Sequence, residues 1–495
     1  MPLRKTVDTL SMKILFENCR LPSGEDSFCT EGAAFCAPLP PFDERIDLGG
    51  AFVLPSFPDA HSHLLAYALS LLQADGAHCR TAQDFVSAAE DFAAARNLEN
   101  NTLVTVKNAD VLPEGGAFET HPRPLHVQMR SGHAGAFNAA ARNALGIAGG
   151  GILEESDYIA VTGRVPLPPQ KDILAAFASA QEDYLAHGMT TAQEGFLSRE
   201  MFELYEMLLC ENALTADVVA YASPADYPEA AARFAGAFRF TVGGMKIFLD
   251  GSPQQRTAFL REPYIGGGKG MLEMDEESVL SACRAAVREG TQLLAHCNGD
   301  GAAQVFLNAL ARLSEQERRL IRPVLIHAQI IGKDQLMRMK ELGVIPSFFP
   351  AHVFYWGDIH LKNLGAVRAE HISPARTAAD LGIPFTLHQD TPVCPPDPLE
   401  AARCAVLRET SSGKHFTAEA ISVREALSAL TENAALQYGF SDRGRIAAGL
   451  RADFVILDGD PFSDIRNVHV KETWMRGKCV FRAGATAENP PKAQG

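Results

Sequence analysis

Ala51-Phe52-Val53-Leu54-Pro55-Ser56-Phe57-Pro58-Asp59-Ala60-His61-Ser62-His63 passes from an apolar run directly into a polar cluster. A short apolar run bounded by proline reads as a buried strand, so the histidines stand where that strand ends. On extended backbone, side chains two positions apart share a side. His61 and His63 therefore point together while Ser62 points away, and such a pair can chelate one ion. Imidazole nitrogen suits zinc and related first-row ions.

Outward from this stretch the chain keeps repeating one unit. Apolar runs at 190–193, 217–222, 245–249, 292–296, 324–327, 344–348 and 385–388 alternate with segments of helical spacing, such as 275–288 and 301–313. Parallel strands joined by crossover helices require this alternation. Counted with the strand before His61, the runs make about eight, the closure number of a TIM-type (β/α)8 barrel. The expected fold class is thus α/β. Gly-, Ala- and Pro-rich sequence at about 75–171 interrupts the repeat and predicts an insertion after the first barrel strand, covering one mouth of the barrel. The run 444–458 reads as short strands and turns that pair with the N-terminal strands. The expected domains are residues 1–50 plus 440–484 as a small β domain, residues 51–439 as the barrel with its insertion, and residues 485–495 as a disordered tail.

Composition excludes several classes. The 495 residues carry a formal charge of -15 with 21% charged residues, and no Lys/Arg stripe offsets the repulsion a phosphate backbone would meet, which argues against nucleic acid. No apolar run reaches membrane-spanning or signal-peptide length, so a cytoplasmic protein without a membrane partner is expected. The 10 cysteines show no C-x-x-C pair and read as packing thiols. The partner is a small-molecule substrate, and a homo-oligomer is compatible with the sequence.

His296 and His327 fall at the ends of two further strands, and Asp390 follows the last. In a barrel of this type those ends converge on the mouth where active sites are built. Asp390 could complete a metal shell or accept a proton. Any one of these histidines alone reads as a satisfied core or surface residue; their common placement favours a site. Lys246 stands in an apolar strand, where an unpaired ammonium is strongly disfavoured. It is either paired with a carboxylate such as Asp250 or Glu194, or neutralised by modification and acting as a metal ligand.

The segments 54–63, 245–252, 295–300, 326–329 and 389–393, in this order, resemble the amidohydrolase superfamily, in the branch of the N-substituted formamide deformylases. The resemblance spans most of the chain. It implies that 444–458 joins the N-terminal residues in a small β-sandwich, that His61 and His63 bind one divalent metal, and that His296 and His327 bind a second. It also implies that Lys246, N-carboxylated, bridges the two, with Asp390 as ligand and general base. Hydroxide activated by the metal would attack an amide or N-formyl carbonyl, and Asp390 would pass the proton to the leaving amine. His388-Gln389 departs from the pattern, which usually has a small residue ahead of the aspartate. The branch also carries Phe349, His352, Tyr355, Trp356, Gly357, Asp358 and His360 in the loop after the seventh strand, and the Arg130-Ser131-Gly132-His133-Ala134-Gly135 segment. His133, His352 and Trp356 are accordingly the substrate-binding candidates. Phe354-Tyr355-Trp356 reads equally as an apolar loop anchor. Arg256 reads better as a solvated or ion-paired side chain than as a clamp for a carboxylate.

Two other readings compete. Related barrels use a similar ligand set with one metal to deaminate a ring substrate, and Lys246 separates the two chemistries. A third reading is an inactive barrel with a binding or regulatory role.

Overall fold

A computed structural model describes residues 12–130, 132 and 134–484. The expected tail at 485–495 and the substrate candidate His133 lie outside these residues.

Seven parallel strands form one sheet in chain order: β1 (Thr191–Leu197), β2 (Asp217–Ala222), β3 (Phe240–Phe248), β4 (Gln292–Cys297), β5 (Val324–His327), β6 (Ile345–Phe348) and β7 (Thr386–Leu387). Each of the seven apolar runs read from the sequence supplies one of them. β5 is buried at every residue, as a strand covered on both faces must be. Helices complete the crossovers. Between β3 and β4, helix Glu276–Glu289 is capped by the Asp275 side chain accepting from the Ser278 N–H and ends at the left-handed Gly290. Helix Asp300–Ala311 follows β4.

The apolar run before His61 does not join this sheet as expected. Residues 51–55 end the strand Glu44–Pro55, which pairs parallel with Lys13–Arg20 and antiparallel with Phe454–Leu457. Both of its hydrogen-bonding edges are therefore occupied within a second seven-stranded sheet built from the two ends of the described chain. Val53 and Leu54 are buried there. Sequence cannot tell which sheet a strand buried on both faces enters, because the apolar pattern is the same. Within this second sheet Phe16 stacks on Phe28 at 4.7 Å and meets Phe454 and Trp474 edge-on, each at 5.1 Å.

The next residues take the place expected of the strand. Asp59 N–H donates to Thr191 O at 2.9 Å, Gly195 N–H to Ser62 O at 2.7 Å, and His63 N–H to Thr391 O at 2.7 Å. Residues 59–63 are thus bonded to β1 on one side and to the chain just past β7 on the other.

Leu65–Ala180 forms a compact unit of its own, wider than the expected insertion. Its five strands are Ala74–Asp75, Val104–Ala109, Leu125–Met129, Ala134–Phe137 and Ile152–Glu154, and Phe85, Val106, Phe118 and Val127 fill its core. The Gly- and Pro-rich pieces that dominate the reading of this region are only its connections. A second difference concerns 351–364, expected as a loop and found as helix Ala351–Leu364. Among the described residues no helix is long and apolar enough to cross a membrane.

β3 and β4 approach closely at Gly244, where a Cβ would lie 2.2 Å from Gln292 O. Gly244→Ala is expected to destabilise the protein by about 1–3 kcal/mol, through forced separation of two central strands. A lowered denaturant midpoint would show this, and an unchanged midpoint would contradict the packing described.

Candidate metal centre

The parallel sheet carries the candidate ligands to its C-terminal end. His296 and His327 lie at the ends of β4 and β5, Lys246 is two residues from the end of β3, and Asp390 follows β7. His327 and Asp390 both adopt positive φ, 74° and 54°. Non-glycine residues hold this conformation only where their surroundings enforce it.

His61, His327 and Asp390 each place one ligand atom within 4.8 Å of the others. Asp390 Oδ1 lies 3.4 Å from His61 Nε2 and 3.8 Å from His63 Nε2, and Asp390 Oδ2 lies 4.0 Å from His327 Nδ1. His296 Nδ1 is 3.1 Å from His327 Nε2, and Lys246 Nζ is 3.4 Å from His61 Nε2. All six residues expected to hold metal therefore form one contiguous cluster.

Burial sets their charge states. Desolvation, reinforced by nearby cationic groups, holds the imidazoles of His61 and His327 well below their usual pKa, so both rings are neutral with a free lone pair. Desolvation also draws Lys246 down to about 7, against the pull of Asp390. The same effect raises Asp390, opposed by His63 and Lys246. The two carboxylates considered as partners for Lys246 are otherwise engaged. Asp250 accepts backbone N–H groups from Phe259, Asn298 and Gly299 at 2.8 to 3.0 Å. Glu194 accepts from the Tyr205 hydroxyl at 2.6 Å. Among the described residues no carboxylate forms an ion pair with Lys246.

A shell of polar side chains, not anticipated from sequence, fixes His61. Gln193 Nε2 donates to Ala60 O at 3.0 Å and to the Tyr438 hydroxyl at 2.8 Å, which leaves Oε1 facing His61 Nδ1 at 2.6 Å. His61 Nδ1 must then carry the proton, and its Nε2 presents the lone pair toward Asp390 and Lys246. Asp59 accepts from His61 N–H at 3.2 Å, from Gln193 N–H at 3.0 Å and from the Ser62 hydroxyl. Buried, it is pushed up to about 6.

His388 belongs to the same region. Its ring lies 5.3 Å from that of His61 and 5.1 Å from those of His327 and Phe349, and burial holds it neutral. The spacing of two that pairs His61 with His63 also pairs His388 with Asp390, which is the signal that could have found it.

On helix Ala351–Leu364, positions 352, 356 and 360 recur every four residues and share one face. His352 packs on Phe349 at 4.8 Å and on Trp356 at 4.7 Å, and its Nδ1 lies 3.2 Å from His360 Nε2. Phe349 connects this face to His388. Phe354 and Tyr355 point outward and are more than a third exposed. Arg256 donates to Ile265 O and Gly267 O at 2.8 and 2.6 Å, so it organises its own loop.

The model of the Amidohydrolase family matches residues 44–481. An amidohydrolase of Bacillus subtilis, YtcJ, is 28% identical over 488 residues, covering 89% of this chain and 91% of its own. The N-substituted formamide deformylase of Arthrobacter pascens is 25% identical, covering 88% and 90%. A metal-dependent hydrolase of Pyrococcus furiosus superposes with a TM-score of 0.75 at 23% identity, covering 91% of this chain and all of that one.

Gln193 fixes the ring orientation of His61 without being able to reach an ion itself. Gln193→Leu is expected to weaken retention of a divalent metal by roughly 10–100-fold in a chelator competition, the usual cost of losing such support. Unaltered affinity would show that His61 needs no such orientation.

Proposed function

The chain belongs to the amidohydrolase family and is a metal-dependent hydrolase of carbon–nitrogen bonds, and from this premise we propose that it hydrolyses an N-formyl or N-acyl amine at the cluster around Asp390. The observation that carries the reading is the contiguous cluster of His61, His63, Lys246, His296, His327 and Asp390, with the imidazoles of His61 and His327 held neutral by burial. Donors of this kind suit a divalent first-row ion, zinc first among them.

In this reading residues 58–63 act as the eighth strand of a closed (β/α)8 barrel, supported by their backbone bonds to Thr191, Gly195 and Thr391. The aromatic contacts from Phe16 to Phe454 and Trp474 support a β-sandwich of the two chain ends. His61 and His63 would hold one ion, and His296 and His327 the other. Lys246 would serve as a further ligand to them as its carbamate, formed when the neutral amine adds carbon dioxide and releases a proton. A pKa near 7 supplies that neutral amine. When bound, the ions polarise the substrate carbonyl and lower the pKa of water.

Asp390 performs the proton transfer. Its burial raises its basicity, and its oxygens lie 3.4 Å from His61 Nε2 and 4.0 Å from His327 Nδ1. It accepts a proton as the carbonyl carbon is attacked and delivers it to the departing amine nitrogen, without which that amine would leave as an anion. His352 and Trp356 face the acyl or amine substituent of a small-molecule substrate, beside Phe349. Cytoplasmic location remains part of the proposal.

A deaminase using one ion is the second reading, favoured because His61 and His327, which the two-ion reading assigns to different ions, lie with Asp390 within single-ion distance. Metal analysis separates the two: Lys246→Ala is expected to reduce the metal content from two ions per chain to one, whereas the deaminase reading gives one in both proteins. In a panel of N-formyl and N-acyl amines, Asp390→Asn is expected to lower kcat by about 10²–10⁴-fold, and His61→Ala to abolish turnover. Equal rates in all three proteins would sink the mechanism.

A further inference from the structure

At the opposite, N-terminal end of the parallel strands lies a cavity of about 430 Å³, within the range of small-molecule sites. Asp217 opens β2, Arg239 precedes β3, Gln292 opens β4, and Arg322 lies just ahead of β5. Four residues of strand rise, roughly 13 Å, separate Gln292 from His296, so this cavity is distinct from the candidate metal centre.

Its charge is unbalanced. Four guanidiniums, Arg239, Arg322, Arg443 and Arg476, and one carboxylate, Asp217, line it, with Arg451, Asp442 and Asp453 paired to them from behind. Asp217 accepts from Arg451 at 2.6 Å and bidentately from Arg476 at 2.8 Å. Arg443 pairs with Asp442 at 2.8 and 3.0 Å, and Arg451 also pairs with Asp453 at 2.7 Å. Arg239 and Arg322 have no carboxylate partner among the described residues. Arg239 Nε, Arg322 Nε and Arg476 Nη1 are buried atoms without a hydrogen-bond acceptor. Arg239 and Arg322 both line the cavity with their charge unmet by any carboxylate among the described residues, so the lining carries positive charge and donors suited to an entering anion. Burial and the charge of Arg476 already depress the pKa of Arg239, as expected where positive charge is in excess.

We propose that this cavity binds a small dianionic oxyanion, phosphate or a phosphate monoester. Two unpaired guanidiniums match a charge of -2, and their planar forks suit the several acceptor oxygens of a phosphoryl group. The site stands apart from the hydrolytic reading above and would survive its failure.

The test is calorimetric titration of the metal-loaded protein with inorganic phosphate at constant ionic strength, repeated with glycerol phosphate and with succinate. Wild type is expected to show saturable binding of phosphate or its monoester, preferred over succinate. Arg239→Met and Arg322→Met should each weaken it at least about tenfold, the loss expected for one charged hydrogen bond. Arg319→Met, at an exposed position paired with Glu315, should leave it intact. No saturable phosphate binding by wild type, wild-type affinity in either arginine variant, or tighter binding of succinate would each overturn the proposal. Should the variants fail to fold, phenylglyoxal mapping of the wild type decides: phosphate should protect Arg239 and Arg322, and failure to protect either overturns it.

Discussion

Everything at the mouth of the parallel sheet follows from burying basic side chains beside a single carboxylate. His61, His327, His388 and Lys246 are buried around Asp390, which keeps a small exposed edge. In such surroundings their charged forms are expensive, so the imidazoles shed their protons and the lysine approaches neutrality. A nest of neutral nitrogen lone pairs around one acid is a poor core and a good ligand set. Its retention in a buried position therefore argues for an ion.

The rest of the molecule keeps that arrangement in place. Residues 56–63 make little sheet of their own, and their polar groups are satisfied from several directions. Ser56 meets the Thr190 hydroxyl at 2.8 Å, which donates to Asp453 at 3.0 Å. Tyr184 donates to Ser62 at 2.8 Å, and Tyr438 donates to Asp59 O. The terminal sheet thus contributes to the site indirectly, by anchoring the strand that leads into His61. Left-handed backbone at His327 and Asp390 is tolerable only within such a framework.

The seven parallel strands could be read from the sequence because each is an apolar run of the right length between turn signals. The candidate ligands can be placed together from sequence because they sit at the ends of those runs. What escaped was non-local. Nothing in residues 51–55 says that their partners are 13–20 and 454–457. The fold of 65–180 was hidden by glycines and prolines at its turns, and the helix at 351–364 by the aromatic residues on its face. Gln193 and Asp59 looked like ordinary strand residues, since only tertiary contact shows that one orients His61 and the other ties its backbone down. His388 stands two residues from Asp390, and only the packing of its ring on His61 and His327 shows that it belongs with them.

Anomalous X-ray scattering from crystals of the zinc-loaded protein tests the central claim most directly. The account predicts a peak within bonding distance, about 2.0–2.2 Å, of His61 Nε2 and Asp390, with a second peak near His296 and His327 and with density extending Lys246 beyond Nζ. Zinc bound elsewhere, with the histidines unmoved and no peak beside Asp390, would contradict it.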